Sequence, residues 1–328
     1  MMGVVAVRGT FLLTKGGPLR PAKRQSPLVL ADVYDGDDPY ESQLVTQTDL
    51  VPFRRGTDIT FNGAAYTDDG SKQKSWTCGL SVGPVSKTLR VHGPRDWIAK
   101  RRTRLIGRNS REWALGEASA VSSVDLHWSK AYGGAIPSAD GAPPSVFEAN
   151  PLGCGIVSDT LDADRVPAPQ IESADDPISD WRKSYEPQNL GLIPPFWPQR
   201  LSYAGTYDDA WISDRHPLLP QDFDFRFWQC AHPDLITQRW LEGDEPFELR
   251  NLLRGHPWLG GQLPAIRMEM RLPMPDGTGV APFLLDGVHF DMRPGVGFVF
   301  LTWRAGFPWP DGRGQPIISA LDAIPEGV

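Results

Sequence analysis

Apolar and polar residues alternate with a period of two along much of the chain. Segments with this alternation lie at 5–13, 76–82, 85–91, 124–128, 266–272 and 296–302. Neighbouring side chains of a strand point to opposite faces, so the pattern predicts β-strands. In 296–302 both faces are apolar, which predicts a strand buried on both sides. In 85–91 the charged Lys87 shares a face with apolar residues, so we expect part of that strand to be exposed.

Helical periodicity is weak by comparison. One short helix is expected over 233–242, with Pro233 in its first turn and Gly243 after its end. Glycine (33 residues) and proline (32 residues) are abundant, and each interior proline costs a helix about 3 kcal/mol. We therefore exclude a helical bundle and expect a mostly β chain of antiparallel sheets, sandwich- or barrel-like, with few short helices. No apolar run approaches the roughly 20 residues of a membrane-spanning helix, so no stable membrane insertion is expected.

The sequence changes character in its middle third. Residues 137–198 are rich in proline and acidic residues and show no sustained alternation, yet they contain too many apolar side chains for a solvated linker. We expect an N-terminal β region at 1–128, an irregular, ordered Pro-rich acidic segment at 129–198, and a C-terminal β region at 199–328. The 328 residues are long enough for such a division.

The net charge and the distribution of charged residues favour some classes of binding partner over others. The net charge of −7 and the pI of about 5.4 argue against nucleic acid as the main ligand. Residues 95–111 are nevertheless basic, and Arg101, Arg102 and Arg104 are candidate contacts for an acidic partner. The alternative is that arginines of this segment pair with the acidic central segment of the same molecule. Three cysteines without a CxxC pair favour a reducing, cytoplasmic location.

Local catalytic motifs are missing from the sequence. The six histidines lack zinc-type spacing, and no GxSxG, P-loop or GxGxxG motif occurs. We therefore expect no metal, no cofactor and no enzymatic activity.

Aromatic residues are dense between 196 and 258. Tryptophan and tyrosine often anchor protein interfaces, so four of them are candidate partner-binding residues: Trp197, Tyr207, Trp211 and Trp228. The same stretch holds four carboxylates among aromatic residues: Asp208, Asp209, Asp222 and Asp224. A carbohydrate-binding or carbohydrate-active site at 205–228 is therefore the alternative function. The spacing also predicts that Asp222 and Asp224 share one face of a strand.

Several ordered motifs resemble one bacterial family. They are WSKAYGGAIP (128–137), NPLGCG (150–155), GLIPPFWPQR (191–200), GTYDDAW (205–211), RHPLLPQDFDFRFWQCAHPD (215–234) and LLDGVHFDMRPGVGFVFLTWRAGFP (284–308). Together they resemble the domain-of-unknown-function 2169 family.

The resemblance implies an adaptor, or effector chaperone, of the type VI secretion system. Such a protein is cytoplasmic, binds a toxin or other effector, often one with a PAAR-like tip, and helps load it onto the VgrG spike. The resemblance implies no catalytic residues for this chain. A structural component that remains in the secretion apparatus is a further possibility.

Overall fold

The computed structural model describes residues 2–101, 111–136, 144–274 and 277–308. The chain is mostly β, with antiparallel sheets and short helices, as predicted. In chain order the strands are β1 (Met2–Leu12), β2 (Arg20–Pro21), β3 (Val33–Tyr34), β4 (Leu44–Thr46), β5 (Asp58–Asn62), β6 (Ala64–Tyr66), β7 (Ser75–Val82), β8 (Val85–His92), β9 (Asp96–Arg101), β10 (Arg111–Leu115), β11 (Ser123–Asp125), β12 (Tyr132–Gly133), β13 (Ala135–Ile136), β14 (Ser145–Val146), β15 (Cys154–Gly155), β16 (Arg165–Pro167), β17 (Ile171–Ser173), β18 (Pro246–Leu253), β19 (His256–Gln262), β20 (Glu269–Met274), β21 (Gly277–Pro282), β22 (Leu284–Asp291) and β23 (Phe298–Pro308). The helices are α1 (Pro198–Leu201) and α2 (Asp209–Asp214), and 3₁₀ turns lie at Trp128–Lys130, Phe225–Trp228 and Pro233–Leu235.

The first sheet joins the two ends of the described chain. Its strand order is β2-β1-β23-β22-β5, antiparallel except for the parallel pair β22 and β5. Strand β23 lies at its centre and is buried from Val299 to Ala305, which confirms the predicted two-sided burial. The long register between β1 and β23, from Met2↔Pro308 to Phe11↔Val299, fixes both strands.

The second sheet has the order β17-β8-β7-β18-β19 and is antiparallel throughout. Strands β7 and β8 form a hairpin around a two-residue turn that begins with Gly83, whose φ is +52°. A glycine at this position suits a turn that matches the right-handed twist of the flanking strands. Both sheets therefore combine strands from the predicted N-terminal and C-terminal β regions.

One hydrophobic core connects the two sheets. Phe247 of β18 packs against Phe290 of β22, with ring centroids 5.4 Å apart. A second cluster packs strands β9 and β10 against the central segment through Trp97, Trp113 and Tyr185. Residues 144–198 carry only strands of two or three residues, yet several of their side chains are buried in these clusters.

One local prediction is wrong. The helix expected over 233–242 is reduced to the 3₁₀ turn Pro233–Leu235, because Ile236 then forms an isolated bridge with Asp58 at the edge of the first sheet. Strand β8 is partly exposed, as predicted, through Ser86 and Thr88, whereas Lys87 is buried and its ammonium donates to Gln188 and Asp234. Among the described residues, no helix has the length and apolar character needed to cross a membrane.

Candidate functional site: an exposed aromatic surface

The candidate site centres on residues 203–228, here called the aromatic loop. Hydrogen bonds close its base. Asp222 accepts from the backbone N–H and the hydroxyl of Thr206, at 3.0 and 2.8 Å. The Asp224 N–H donates to the Tyr203 carbonyl at 3.0 Å, and the Arg226 guanidinium lies over the Tyr203 ring. These contacts hold the loop in one shape without burying it.

Helix α2 forms the outer part of the aromatic loop. Asp208 caps it by accepting a hydrogen bond from the Trp211 N–H at 2.9 Å, which satisfies a donor that the first turn leaves unpaired. The Trp211 indole contacts the Tyr207 ring and donates to the Leu218 carbonyl. None of the residues of α2 is buried, so local contacts maintain this helix in place of a packed apolar face.

Several large apolar side chains of this region face solvent. The exposed fraction is 52% for Tyr207, 61% for Ile212 and 62% for Leu218. Leu201, Leu219 and Phe225 are also exposed. A single exposed apolar residue needs no explanation, but a group on one rigid segment is typical of an interaction site.

Residues from the N-terminal part of the chain extend this surface. The half-exposed ring of Phe53 contacts Phe225, with centroids 5.4 Å apart, and Trp240, with centroids 5.9 Å apart. Arg55 pairs with Asp224 at 3.4 Å. Phe53 thereby joins the aromatic loop to the segment that precedes β5.

A second N-terminal segment, residues 31–41, contacts Phe196; we call it the acidic loop. The exposed ring of Tyr40 contacts Phe196, with centroids 4.7 Å apart, and Tyr34 stacks on the same ring. Phe196 directly precedes Trp197 and α1, which leads into the aromatic loop. We call the exposed apolar side chains of 201–225, together with Tyr40 and Phe53, the aromatic face.

Both loops are rich in acidic residues. The acidic loop and the aromatic loop together hold ten acidic and two basic residues, a formal charge of −8. The whole chain carries −7, so the remaining residues have a net charge of +1. Most of these carboxylates are exposed, Asp37, Asp38 and Asp209 among them. Five of these acidic residues thus share the aromatic loop with Tyr207, Ile212 and Leu218, and the other five lie in the acidic loop, which contacts Phe196 through Tyr34 and Tyr40.

A buried ionic cluster positions the end of the aromatic loop. The Arg54 side chain lies between the carboxylates of Asp58 and Asp286, at 3.7 and 3.6 Å, and its Nε donates to the Trp228 carbonyl at 3.3 Å. Asp58 also accepts a hydrogen bond from the Cys230 N–H. Because β5 and β22 belong to the first sheet, these contacts attach the loop to the core of the molecule.

The structure places three of the four predicted aromatic anchors on the aromatic loop, and two of them are in contact. Tyr207 and Trp211 contact each other on the outer part of the aromatic loop, with ring centroids 4.7 Å apart. Trp228 is half-buried at its base, where it packs against Phe223 and Phe227.

Trp197 does not reach the surface. Only 1% of it is exposed, and its ring packs edge-on against Trp128 in the main core, with centroids 5.2 Å apart. Its indole is therefore a core side chain in this structure and is unavailable to a partner.

Of the three predicted basic residues, the structure describes one. Arg101 ends strand β9, and Arg102 and Arg104 fall outside the described residues. The two ends of the basic segment meet the acidic central segment: Arg95 pairs with Glu172 at 2.7 Å, and Arg111 pairs with Asp162. For these two arginines the alternative of pairing within the molecule is confirmed.

Three of the four carboxylates of the carbohydrate alternative, Asp208, Asp222 and Asp224, have structural partners. Residues 222–224 form no strand, so the predicted shared face of Asp222 and Asp224 is wrong; Asp224 instead caps the 3₁₀ turn Phe225–Trp228. Hydrogen bonds from Thr206 lower the pKa of Asp222, and hydrogen bonds from Arg226 lower the pKa of Asp224. A glycosidase needs one carboxyl with a raised pKa, and neither of these provides it.

Ser129, His127 and Asp35 form a hydrogen-bonded chain with the residue types of a hydrolase triad. His127 Nδ1 lies 2.7 Å from the Ser129 hydroxyl, and its Nε2 lies 2.9 Å from Asp35. The same Nδ1 accepts from the Ser129 backbone N–H at 3.1 Å, so the imidazole caps the 3₁₀ turn Trp128–Lys130. Capping accounts for this histidine without a catalytic role.

Other reactive side chains in the described part of the chain are similarly occupied. No group of three or more His, Cys, Asp or Glu is placed there to hold a metal ion. Burial raises the pKa of Cys154 to about 11, which disfavours the thiolate that a nucleophile requires.

The sequence pattern did not reveal the aliphatic part of the aromatic face. Leu218 and Leu219 stand between prolines in HPLLP, which has no periodicity to mark exposure. The run of acids in DVYDGDD was a usable signal, because five acidic residues without a base occur within 31–41. From the sequence alone, this acidic run predicts only a turn. Its contact with Phe196 becomes known only from the fold.

Comparison with known families identifies the class of the chain. Residues 1–304 match the model of a bacterial family described as "Uncharacterized protein conserved in bacteria (DUF2169)". The chain therefore belongs to this family, the one that its motifs resemble. Comparison with curated proteins and with solved structures finds no match.

Proposed function

We propose that the chain is a non-catalytic adaptor that binds a type VI secretion effector in the cytoplasm and helps load it onto the VgrG spike. The observation that supports binding is the aromatic face, most of whose exposed apolar side chains belong to a loop that its own hydrogen bonds hold in shape. A preorganised surface loses little conformational entropy on association. The secretion role itself rests on the family resemblance, and the partner expected from it is a toxin or PAAR-like protein.

The carbohydrate alternative has less support. Asp208 is engaged as the cap of α2, and Asp222 and Asp224 have lowered pKa values. A protein partner uses the exposed aliphatic residues Ile212 and Leu218 as well as the aromatic rings, whereas sugar recognition relies on rings and polar groups.

Co-expression tests this proposal. The tagged full-length chain is produced with the proteins encoded beside its gene and purified at low and at moderate salt. We expect one neighbouring toxin or PAAR-like protein to co-purify in a defined ratio. A folded, monodisperse chain that captures none of these proteins at either salt concentration contradicts the adaptor function. Co-purification with sheath or spike proteins alone favours a resident structural component.

A further inference from the structure

The aromatic loop holds apolar side chains in solvent-exposed positions. Its base is closed by the bonds from Thr206 to Asp222, and its helix is capped by Asp208. Isolated helices of six residues are unstable in water, so these local bonds are what maintains α2. The result is a fixed shape in which Tyr207, Ile212 and Leu218 are each more than half exposed.

Two other exposed apolar residues do not belong to such a loop. Trp258 on β19 is 50% exposed and Val280 on β21 is 57% exposed. Each belongs to a strand paired in a sheet or hairpin, and neither lies in the acidic or the aromatic loop. They match the side chains of the aromatic face in exposure and lie outside both loops, which makes them suitable controls.

The negative charge of the two loops favours a positively charged partner. A formal charge of −8 on two neighbouring loops, beside a remainder of +1, attracts a positively charged surface and repels an acidic one. Lysine and arginine side chains can lie along apolar surface while their charged ends meet carboxylates. A segment with apolar and basic side chains side by side therefore complements both features.

We propose that the aromatic face binds a cationic, amphipathic segment of another polypeptide, with apolar side chains against Tyr207, Ile212, Leu218 and Phe53 and with lysines or arginines at the acidic rim. This inference rests on the proposed function and specifies the chemistry of the effector segment that the adaptor recognises. The rigid loop provides the apolar contact area, and the carboxylates of the acidic loop orient the partner and speed its approach.

The first experiment measures binding of a defined probe. A fluorescein-labelled 14-residue peptide of alternating leucine and lysine is titrated with the full-length chain, and anisotropy is recorded at 50 and 300 mM NaCl. We expect saturable binding that weakens at least about tenfold at the higher salt, because exposed charge pairs are screened. A leucine–aspartate peptide should not bind. Equal binding of both peptides, or no binding of either, overturns the proposal.

Variants then locate the site. Ile212→Ser with Leu218→Ser removes apolar contacts, and Asp37→Asn with Asp209→Asn removes rim charge. Each pair should weaken peptide binding about tenfold or more, while Trp258→Ser with Val280→Ser leaves it within twofold. All these side chains are exposed, so folding, checked by the urea midpoint, should hardly change. Equal losses in the control pair contradict the assignment.

The same variants separate this inference from the proposed function. If the wild-type chain captures its co-expressed partner and both face variants capture it equally well, the inference fails and the adaptor function stands. If no partner is captured but the peptide binds and the variants abolish binding, the adaptor function fails and the face remains a cationic-peptide site. Light scattering tests whether a second copy of the chain binds to the aromatic face. Oligomers that form with increasing concentration, and that the face variants abolish, would overturn the choice of a different polypeptide as the partner.

Discussion

Three arginines and three aspartates lie buried at the first sheet. Arg8 pairs with Asp49, Arg54 lies between Asp58 and Asp286, and Arg304 pairs with Asp286. Isolated charges at this depth would be very costly, so each depends on its partners. No periodic pattern predicts such a cluster, because the residues come from positions up to about 300 residues apart and meet only when β1, β22 and β23 pair.

Removal of one member should therefore be strongly destabilising. For Arg54→Ala we expect the free energy of unfolding to fall by about 3–5 kcal/mol, since the Asp58 and Asp286 carboxylates lose their shared counterion in the interior. Urea unfolding followed by tryptophan fluorescence measures this. The adjacent Arg55 is the matched control: its pair with Asp224 is exposed, and Arg55→Ala should cost at most about 1 kcal/mol. Equal losses in the two variants contradict the prediction.

His289 should make stability depend on pH. Burial lowers its pKa to about 4, and nearby Arg8 and Arg293 act in the same direction against Asp291. The unfolded chain, with a histidine pKa of about 6.5, binds more protons between pH 6.5 and 4. The contribution of neutral His289 is therefore complete above about pH 6.5 and is lost as the pH falls towards 4, a change of about 3 kcal/mol.

The corresponding measurement compares urea unfolding at pH 7.5 and 4.5 in the wild-type chain and in His289→Gln. Glutamine does not titrate, and its amide overlays the Nε2 edge of the imidazole, which lies 3.5 Å from the Asn62 side-chain amide in the wild type. The variant should lose distinctly less stability over this pH interval. The same pH dependence in both proteins would show that His289 does not titrate as expected.

At the scale of elements, alternation predicted the long strands well and the aromatic loop poorly. Segments such as 76–82 and 85–91 pair with neighbours on both sides, so one periodic pattern serves the whole strand. In QDFDFRFW the same alternation does not produce a strand. There Asp222 and Asp224 bond to nearby backbone groups and form turns, which is the known competition between aspartate side chains and sheet hydrogen bonds.

The aromatic loop should loosen locally when its closing bonds are removed. In Asp222→Ala, both hydrogen bonds to Thr206 are lost, so we expect faster amide hydrogen exchange at 205–214 with an unchanged urea midpoint. Asp69→Ala is the control, because Asp69 makes a similar exposed turn bond to the Ser71 N–H; its effect should be confined to residues near Ser71. Unchanged exchange at 205–214 in Asp222→Ala would show that other contacts hold the loop.

At the scale of the whole molecule, the two sheets draw on distant parts of the chain. Strand β1 pairs with β23, and β7 pairs with β18. Fold class was predictable because it depends on local alternation. The pairing of distant strands was not, since many antiparallel arrangements satisfy the same pattern. The candidate site illustrates the limit: Tyr207 and Trp211 were identifiable from composition, but the contribution of Phe53 and the acidic loop required the fold.

Binding of a protein partner through the aromatic face is best tested by a footprint of the complex. Hydrogen exchange followed by mass spectrometry is recorded for the full-length chain alone and in the complex with its co-expressed partner. We expect slower exchange in residues 31–41 and 203–228, with β19 and β21 unchanged. Protection confined to β19, β21 or the basic strand β9, with the aromatic loop exchanging as in the free chain, would contradict it.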